Sequence, residues 1–531
     1  MFRSCAIGTA LLLAACARGG AGTSLHGGTV RAYLPAEPAS LSLIGKTDLW
    51  SEIIAYQITD SLVQYDSRLE LVPRVAASWE FSPDRLTLTF HLRDGVRWHD
   101  GTPVTADDVV FTVERVRDPR LENRTFGGLF QDLTGIEALD ARTLRVRYQR
   151  ATPDVLESWR VPLVPAHLAR GDDLLTGSFQ EQPVGCGPFR FARRVRGEEI
   201  ELVANDDYWD GPPGLRRLVF RQFADERTAW QALMRGELDL MTPISNSLRP
   251  DAATAVASGR WIEHSAPSLS LWQIGWNQDG SNPFFTDARV RRAMVLALDR
   301  EAFIAHVVPG VARRGITSYH PDSSWADPAV EPWPYDAAEA GRLLDAAGWR
   351  DRDGDGVRER DGHPFRFTLL VPSSTQPLNE HMAQWQQQCW AKIGVRADIL
   401  KLEWQAFREQ RGRHEFQAAA ATFKLTPNPD QFELYHSSMR EHGFNFVGLA
   451  DAEIDRLLEQ GRTTFDRSSR LEIYRRLQHR LHELEPISVL FYFTGSVLHD
   501  RQLEGVQPTP LDCWQTTAGP RQWHWVANAG P

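Results

Sequence analysis

Between Leu86 and Val116 the spacing of apolar residues changes from one period to another. Leu86, Leu88, Phe90 and Leu92 alternate with Thr87, Thr89 and His91, which predicts a strand with one buried face. Asp94-Gly95 offers a tight turn, Val96 and Trp98 predict a second short strand, and Asp100-Gly101 a second turn. From Thr105 the period becomes helical. Thr105 is a suitable N-cap, Asp108 completes a capping-box-like start, and Val109, Val113 and Val116 share one face. Elsewhere the same rules predict a strand at Thr29–Leu34 and a helix from about Asp48 to Leu62, with Trp50, Ile54, Ile58 and Leu62 in line. A helix over Asp225–Arg235 is ended by Gly236, and Thr286 and Asp299 cap two more. Asp336, Glu339 and Gly348 punctuate another, and Asn379–Ile393 is amphipathic. Val395–Trp404 predicts a strand, Asp466–Glu485 a helix stopped by Pro486, and Ile487–Phe493 an apolar strand. Strands and helices intermix throughout, which is the pattern of an α/β protein.

A chain of 531 residues is too long for one ordinary core, so two or three domains are expected. Its net charge of −10 carries no basic footprint for nucleic acid. The 18 tryptophans are many; most are expected in the core, and a surplus of rigid aromatic surface also suits a cleft that stacks on ligands. The sequence contains no G-x-S-x-G elbow, H-E-x-x-H helix, P-loop or dinucleotide fingerprint. No cofactor is therefore expected. A secreted hydrolase using paired carboxylates remains the rival from another class, without a motif in its favour.

Met1-Phe2-Arg3 followed by the apolar Ala6–Ala15 predicts a signal peptide over residues 1–15. Leu13-Ala14-Ala15-Cys16 resembles a bacterial lipobox, which makes Cys16 the lipidated residue and 16–28 a glycine-rich tether. The mature protein is then expected outside the cytoplasm, held to a membrane by its lipid. Cys186, Cys389 and Cys513 remain, an odd number. Cys389 sits on an apolar helix face, and a Cys186–Cys513 bridge is allowed but not required.

Asp351, Asp353 and Asp355 with Gly356 imitate the first half of an EF-hand loop, but Gly362 stands where a bidentate glutamate should be. A solvated turn is the better reading. His479 and His482 are three apart on an arginine-rich helix, a spacing that suits a solvated face better than a metal site.

The words of the chain say more than their periods. FHLRDGVRWHDGTPVTADDVVFTVERV closely resembles the signature of the extracytoplasmic solute-binding proteins of peptide-type ABC importers, solute-binding protein family 5. Leu71–Glu80, PVGCGPFRF (Pro183–Phe191), ELVANDDYWDGPP (Glu201–Pro213) and Leu271–Ile304 are similar to further blocks of that family, in the same order. Cys186 replaces the family's usual threonine, which puts that side chain's hydrogen bonding in doubt.

The resemblance implies a two-lobed periplasmic binding protein fold, type II and cluster C-like, with an inserted domain and the ligand in the interlobe cleft. By analogy residues 27–62, 183–270 and 490–531 form a discontinuous first lobe, 63–182 the inserted domain and 271–489 the second lobe. It implies a binding protein and not an enzyme: the substrate-binding component of an ABC importer, a monomer that hands a peptide or peptide-like solute to permease and ATPase subunits. Oligosaccharides, opine-like compounds and nickel complexes are alternative ligands within the family. The expected ligand-contacting residues are Trp404, Phe423, Lys424 and Leu425, then Trp276, Asn277 and Cys186. Peptide-binding members place an aspartate just upstream of a segment similar to Asn428–Phe432, where it meets the peptide's ammonium group. Here Thr422–Thr426 contains no acid and offers Lys424 instead, unless Asp430 or Glu403 takes the role.

Overall fold

The computed structural model describes residues 24–25, 27–41, 48–121, 127–150, 152–171, 177–373, 377–441 and 443–526. The signal segment and Cys16 lie outside these.

Two antiparallel strands, Trp261–Trp276 and Ile487–Asp500, stand at the centre of a mixed sheet of eleven strands. On one side follow Ala418–Lys424, Arg366–Pro372 and the edge strand Arg396–Leu402. On the other follow Leu240–Met241, Thr29–Leu34, Arg217–Gln222, Glu199–Ala204 and Phe189–Val195, and the short eleventh strand, Ala312–Arg314, pairs with Ile487–Asp500 off this order. Each half of the sheet carries its own core. In the second lobe, Trp276, Trp349, Trp390, Phe365 and Phe367 pack between strands and helices. In the first, Val30, Leu34, Ile54, Phe220 and Trp514 pack on the opposite half. The two long strands run through both cores, and their register shifts between Pro267 and Leu271, where the chain passes from one lobe to the other.

The inserted domain is a separate sheet, in the order Ala76–Phe81, Thr87–Leu92, Thr143–Tyr148, Leu133–Asp140, backed by the helix Ala106–Val116. Its core includes Phe90, Trp98, Val109, Val113 and Trp159. The predicted capping box is present, with Asp108 accepting from the Thr105 amide at 2.9 Å. The Asp108 carboxylate is buried and also accepts from Trp98 Nε1 and the Ala166 amide, so the cap ties three segments together.

Several boundaries differ from the sequence expectation. Val96 and Trp98 are buried but form no strand; an isolated Arg97–Pro103 bridge brackets the second turn instead of a ladder. The first helix, Leu49–Ile58, stops four residues early because the Ile58 carbonyl accepts from the Gly187 amide at 2.8 Å. Asp287, not Thr286, caps the helix Ala288–Leu296. Trp404 does not end a strand; it begins the helix Trp404–Gly412.

The passage from inserted domain to first lobe is held by His99. Its Nδ1 accepts from the Gly185 amide, which places the proton on Nε2, and Nε2 donates to the Gly187 carbonyl at 3.1 Å. The His99 amide also donates to the Gly185 carbonyl at 2.8 Å. A Cβ on Gly185 would lie 2.0 Å from the Ile58 carbonyl oxygen, so only glycine fits that crossing. Two sequence blocks some eighty residues apart, RWHDG and PVGCGPF, are thus one joint.

Burial lowers the His99 pKa to about 4, while backbone hydrogen bonding by Gly187 opposes the shift. The folded state therefore binds fewer protons than the unfolded chain between pH 6.5 and 4. Stability is complete above about pH 6.5 and falls as pH drops toward 4, by on the order of 3 kcal/mol for this group. His99→Gln is expected to flatten part of that loss in thermal unfolding followed from pH 7.5 to 5. His320, His482 and His499, whose pKa values are also lowered to about 4, keep the remainder.

Candidate functional site

The three bodies meet along one seam. The first lobe contributes the helix Leu49–Ile58 and the segment from Thr509 to Arg521. The inserted domain contributes the turn at residues 66–70 and the 3-10 helix Pro153–Arg160, and the second lobe the end of the strand Ala418–Lys424 with the loop behind it. Its floor is apolar: Leu269, Leu271, Leu425, Val489 and Tyr492, with Leu69, Phe423 and Leu511 packed against them. Backbone bonds stitch it, from the Leu425 amide to the Leu269 carbonyl at 2.8 Å and from the Leu269 amide to the Pro510 carbonyl at 3.0 Å.

Charged and phenolic groups form its walls. The Tyr56 hydroxyl donates to the Arg160 carbonyl, and burial pushes its pKa up to about 12. The Arg160 guanidinium lies 4.1 Å over the Tyr65 ring and 3.8 Å from Glu157. The Tyr65 hydroxyl donates to Glu157, whose carboxyl burial raises above the usual carboxylate range. Asp154 is raised in the same way and is opposed by Arg470, which donates to it from the second lobe. Arg462 donates to Asp430 at 2.7 Å. Every one of these buried charges has an opposite charge beside it, as their desolvation demands.

Asp512 differs. Its carboxylate accepts from the backbone amides of Trp514 and Gln515 and from the Gln515 side chain. Burial raises its pKa, and the hydrogen bonds from Trp514 and Gln515 work against that rise, with a smaller contribution from the Lys424 charge. Lys424 is exposed at the end of its strand, paired in register with Ser270.

The residues expected from sequence divide here. Phe423 and Leu425 lie on the seam floor and Lys424 at its edge. Trp276 does not: it is fully buried in the second-lobe core, donates to Ser488 Oγ at 2.8 Å and packs on Phe285 and Trp390. Asn277 is a structural clamp, its amide donating to the His414 and Phe416 carbonyls. Trp404 is exposed, stacked on Phe407 at the start of its helix. Cys186 is buried in the inserted-domain core, 3.8 Å from Thr59 Oγ1, and burial pushes its thiol up to about 12. Cys186, Cys389 and Cys513 are all free, with Cys186 and Cys513 in different cores. Both acids that could have replaced the missing aspartate are occupied. Asp430 holds Arg462, and Glu403 caps the helix Trp404–Gly412.

The other two polar clusters have local roles. Asp351, Asp353 and Asp355 accept from amides of their own loop. His479 pairs with Asp327, whereas His482 stacks on Trp333 at 4.4 Å. Sequence reasoning missed Tyr56, Asp154, Glu157, Arg160, Arg470 and Asp512. Each is a single polar residue in an ordinary helix or loop, and for Tyr56, Glu157, Asp154 and Arg470 a partner lies in a distant part of the chain. A cavity of about 40 Å³, room for one water, lies where Tyr56, Gln57 and Gln515 approach. Depressions of about 660 and 720 Å³ open along the sheet's outer edge, around Arg366 and Asp398.

Residues 70–441 match the model of the bacterial extracellular solute-binding proteins, family 5. The chain belongs to that family. It is 30% identical over 511 residues to the oligopeptide-binding protein AppA of Bacillus subtilis, covering 93% of this chain and 91% of that one. It is 28% identical to di/tripeptide-binding protein 1 of Pseudomonas aeruginosa, covering 83% and 84%. The solved structure of Bacillus subtilis AppA with a nonapeptide superposes with a TM-score of 0.73 at 26% identity, over 95% of this chain and 100% of that one. The unliganded open form of the periplasmic murein tripeptide-binding protein MppA shares the fold, at a TM-score of 0.82 and 23% identity, over 96% and 100%. The two-lobed α/β fold and the membership implied by the sequence blocks are both borne out. Among the described residues no helix is long and apolar enough to cross a membrane.

Proposed function

We propose that this chain captures a peptide or peptide-like solute at the seam and passes it to the permease and ATPase subunits of an ABC importer, without chemical change. The observation that carries this reading is the seam itself, with an apolar floor and polar walls supplied by three bodies. That is the form of a site that encloses its ligand as the bodies come together. The relatives named for oligopeptides and for di- and tripeptides support the ligand class. Residues 27–62, 183–270 and 490–531 act as one lobe, 63–182 as the inserted domain and 271–489 as the other lobe. The protein works as a monomer outside the cytoplasm, tethered through a lipid on Cys16.

The charge at the seam narrows the ligand. Lys424 stands exposed in a stretch that holds no acid, and the neighbouring acids are already engaged. A free peptide ammonium is therefore not recognised there, and the ligand carries an anionic or blocked group near Lys424. Phe423, Leu425 and Lys424 are the residues through which the second lobe touches it.

Calorimetry with unmodified di- to pentapeptides and their N-acetylated counterparts tests this. The acetylated peptides are expected to bind at least as tightly, and Lys424→Ala to weaken anionic ligands by about 1–2 kcal/mol. Tight binding of free peptides that acetylation destroys and Lys424→Ala leaves unchanged would refute it.

The anchor is tested separately. Cys16→Ser is expected to move the mature protein from the membrane fraction to the soluble extracytoplasmic fraction, since only acylation holds it there. Unchanged fractionation would show that Cys16 carries no lipid.

A further inference from the structure

Beyond the apolar floor, where Leu69 packs against the cluster that includes Leu425, the second lobe meets the inserted domain along the stretch from Phe465 to Arg470, at the start of the helix Arg467–Leu484. Three loops of the inserted domain converge on it. The Phe465 ring lies edge-on to Phe81 at 5.4 Å, with the Arg85 guanidinium 4.9 Å from it. Arg467 donates to Glu70 at 2.6 Å and to Ser324 at 2.8 Å, and Ser324 donates to Glu70 as well. One turn further on, Arg470 donates to Asp154.

These contacts are not alike. Arg467 is exposed and Glu70 partly so, and a pair of that kind contributes under about 1 kcal/mol. Arg470 is 5% exposed, and it also donates to the Gly461 carbonyl and the Tyr474 hydroxyl. Its guanidinium also stands over the rings of Trp325 and Tyr474. Arg470 is therefore fixed within the second lobe, aimed out at a carboxylate of the inserted domain. Only two strands link the lobes covalently, and their register shifts where they cross. A swing of the second lobe about that crossing must part Asp154 from Arg470.

We propose that Phe465, Arg467 and Arg470 form a clasp that fastens the second lobe to the inserted domain and sets how readily the seam opens. Asp154 is the keeper of the clasp, and the inserted domain acts as the jaw opposite the second lobe. The ligand plays no part in these contacts. The clasp consequently governs the balance between open and closed chain before anything binds, whatever the ligand proves to be.

The test is pulsed electron-paramagnetic resonance on the mature chain with Cys16→Ser, spin-labelled at Glu114→Cys in the inserted domain and Glu331→Cys in the second lobe, both exposed. The three natural cysteines are buried and take up little label. The clasped chain gives one main distance. Arg470→Gln is expected to make a second, longer distance the major component, and Arg467→Gln to give a smaller share of it. The exchanged pair Asp154→Arg with Arg470→Asp restores the short distance. Near-ultraviolet circular dichroism confirms that each variant is folded. Should Arg470→Gln fail to fold, the exposed Arg467→Gln combined with Phe465→Ala carries the test. Distances unchanged in the folded variants, or lengthened by both single changes and not restored by the exchange, would overturn the clasp. No ligand is added, so failure here leaves the proposed peptide capture untouched.

Discussion

Two neighbouring strands, Trp261–Trp276 and Ile487–Asp500, belong to both lobes at once, and the seam depends on that fact. A sheet continuous through two cores holds the lobes at a fixed edge while leaving their far ends free to separate. The ladder between these strands shifts register at Pro267–Leu271, where the chain crosses between lobes, and again between Trp272 and Gln273. Leu269 sits within the shift, bonded forward to Leu425 in the second lobe and back to Pro510 in the first. The pivot and the apolar floor of the seam are thus one piece of structure.

Around this pivot the electrostatics follow from desolvation. Glu157, Asp154 and Asp430 are each matched by an arginine, because burying a lone carboxylate costs several kcal/mol. One of these matches, Asp154 with Arg470, joins two bodies, which turns a requirement of folding into a contact between moving parts. Asp512 follows a different rule: the Trp514 and Gln515 amides and the Gln515 side chain hold its buried carboxylate.

Much of the fold was legible in local pattern. The capping box at Thr105 and Asp108, the helix over Asp225–Arg235 and the glycine crossing at Pro183–Phe191 are short-range decisions that neighbouring residues settle. The ordered family blocks supplied the architecture. Boundaries failed where a distant partner intervened, as when Gly187 captured the Ile58 carbonyl and ended a helix that apolar spacing would have continued. The site was less legible. Trp276 and Trp404 look alike in sequence, yet one is enclosed by Phe285 and Trp390 and the other stands in solvent. Phe423, Lys424 and Leu425 reach the seam because they end a strand that runs toward it. Asp154 and Arg470, 316 positions apart, carry no mark that either would meet the other.

The central claim is that a solute is held where the three bodies meet, and amide hydrogen exchange tests it most directly. The protein is followed by mass spectrometry with and without a saturating mixture of randomised nonapeptides, half of them N-acetylated. Slowed exchange is expected at Tyr56–Glu70, at Thr422–Gln431 and at Leu511–Thr517, with the edge strand Arg396–Leu402 unchanged. Saturable binding that protects the edge strand and leaves those three segments unaltered would contradict the account.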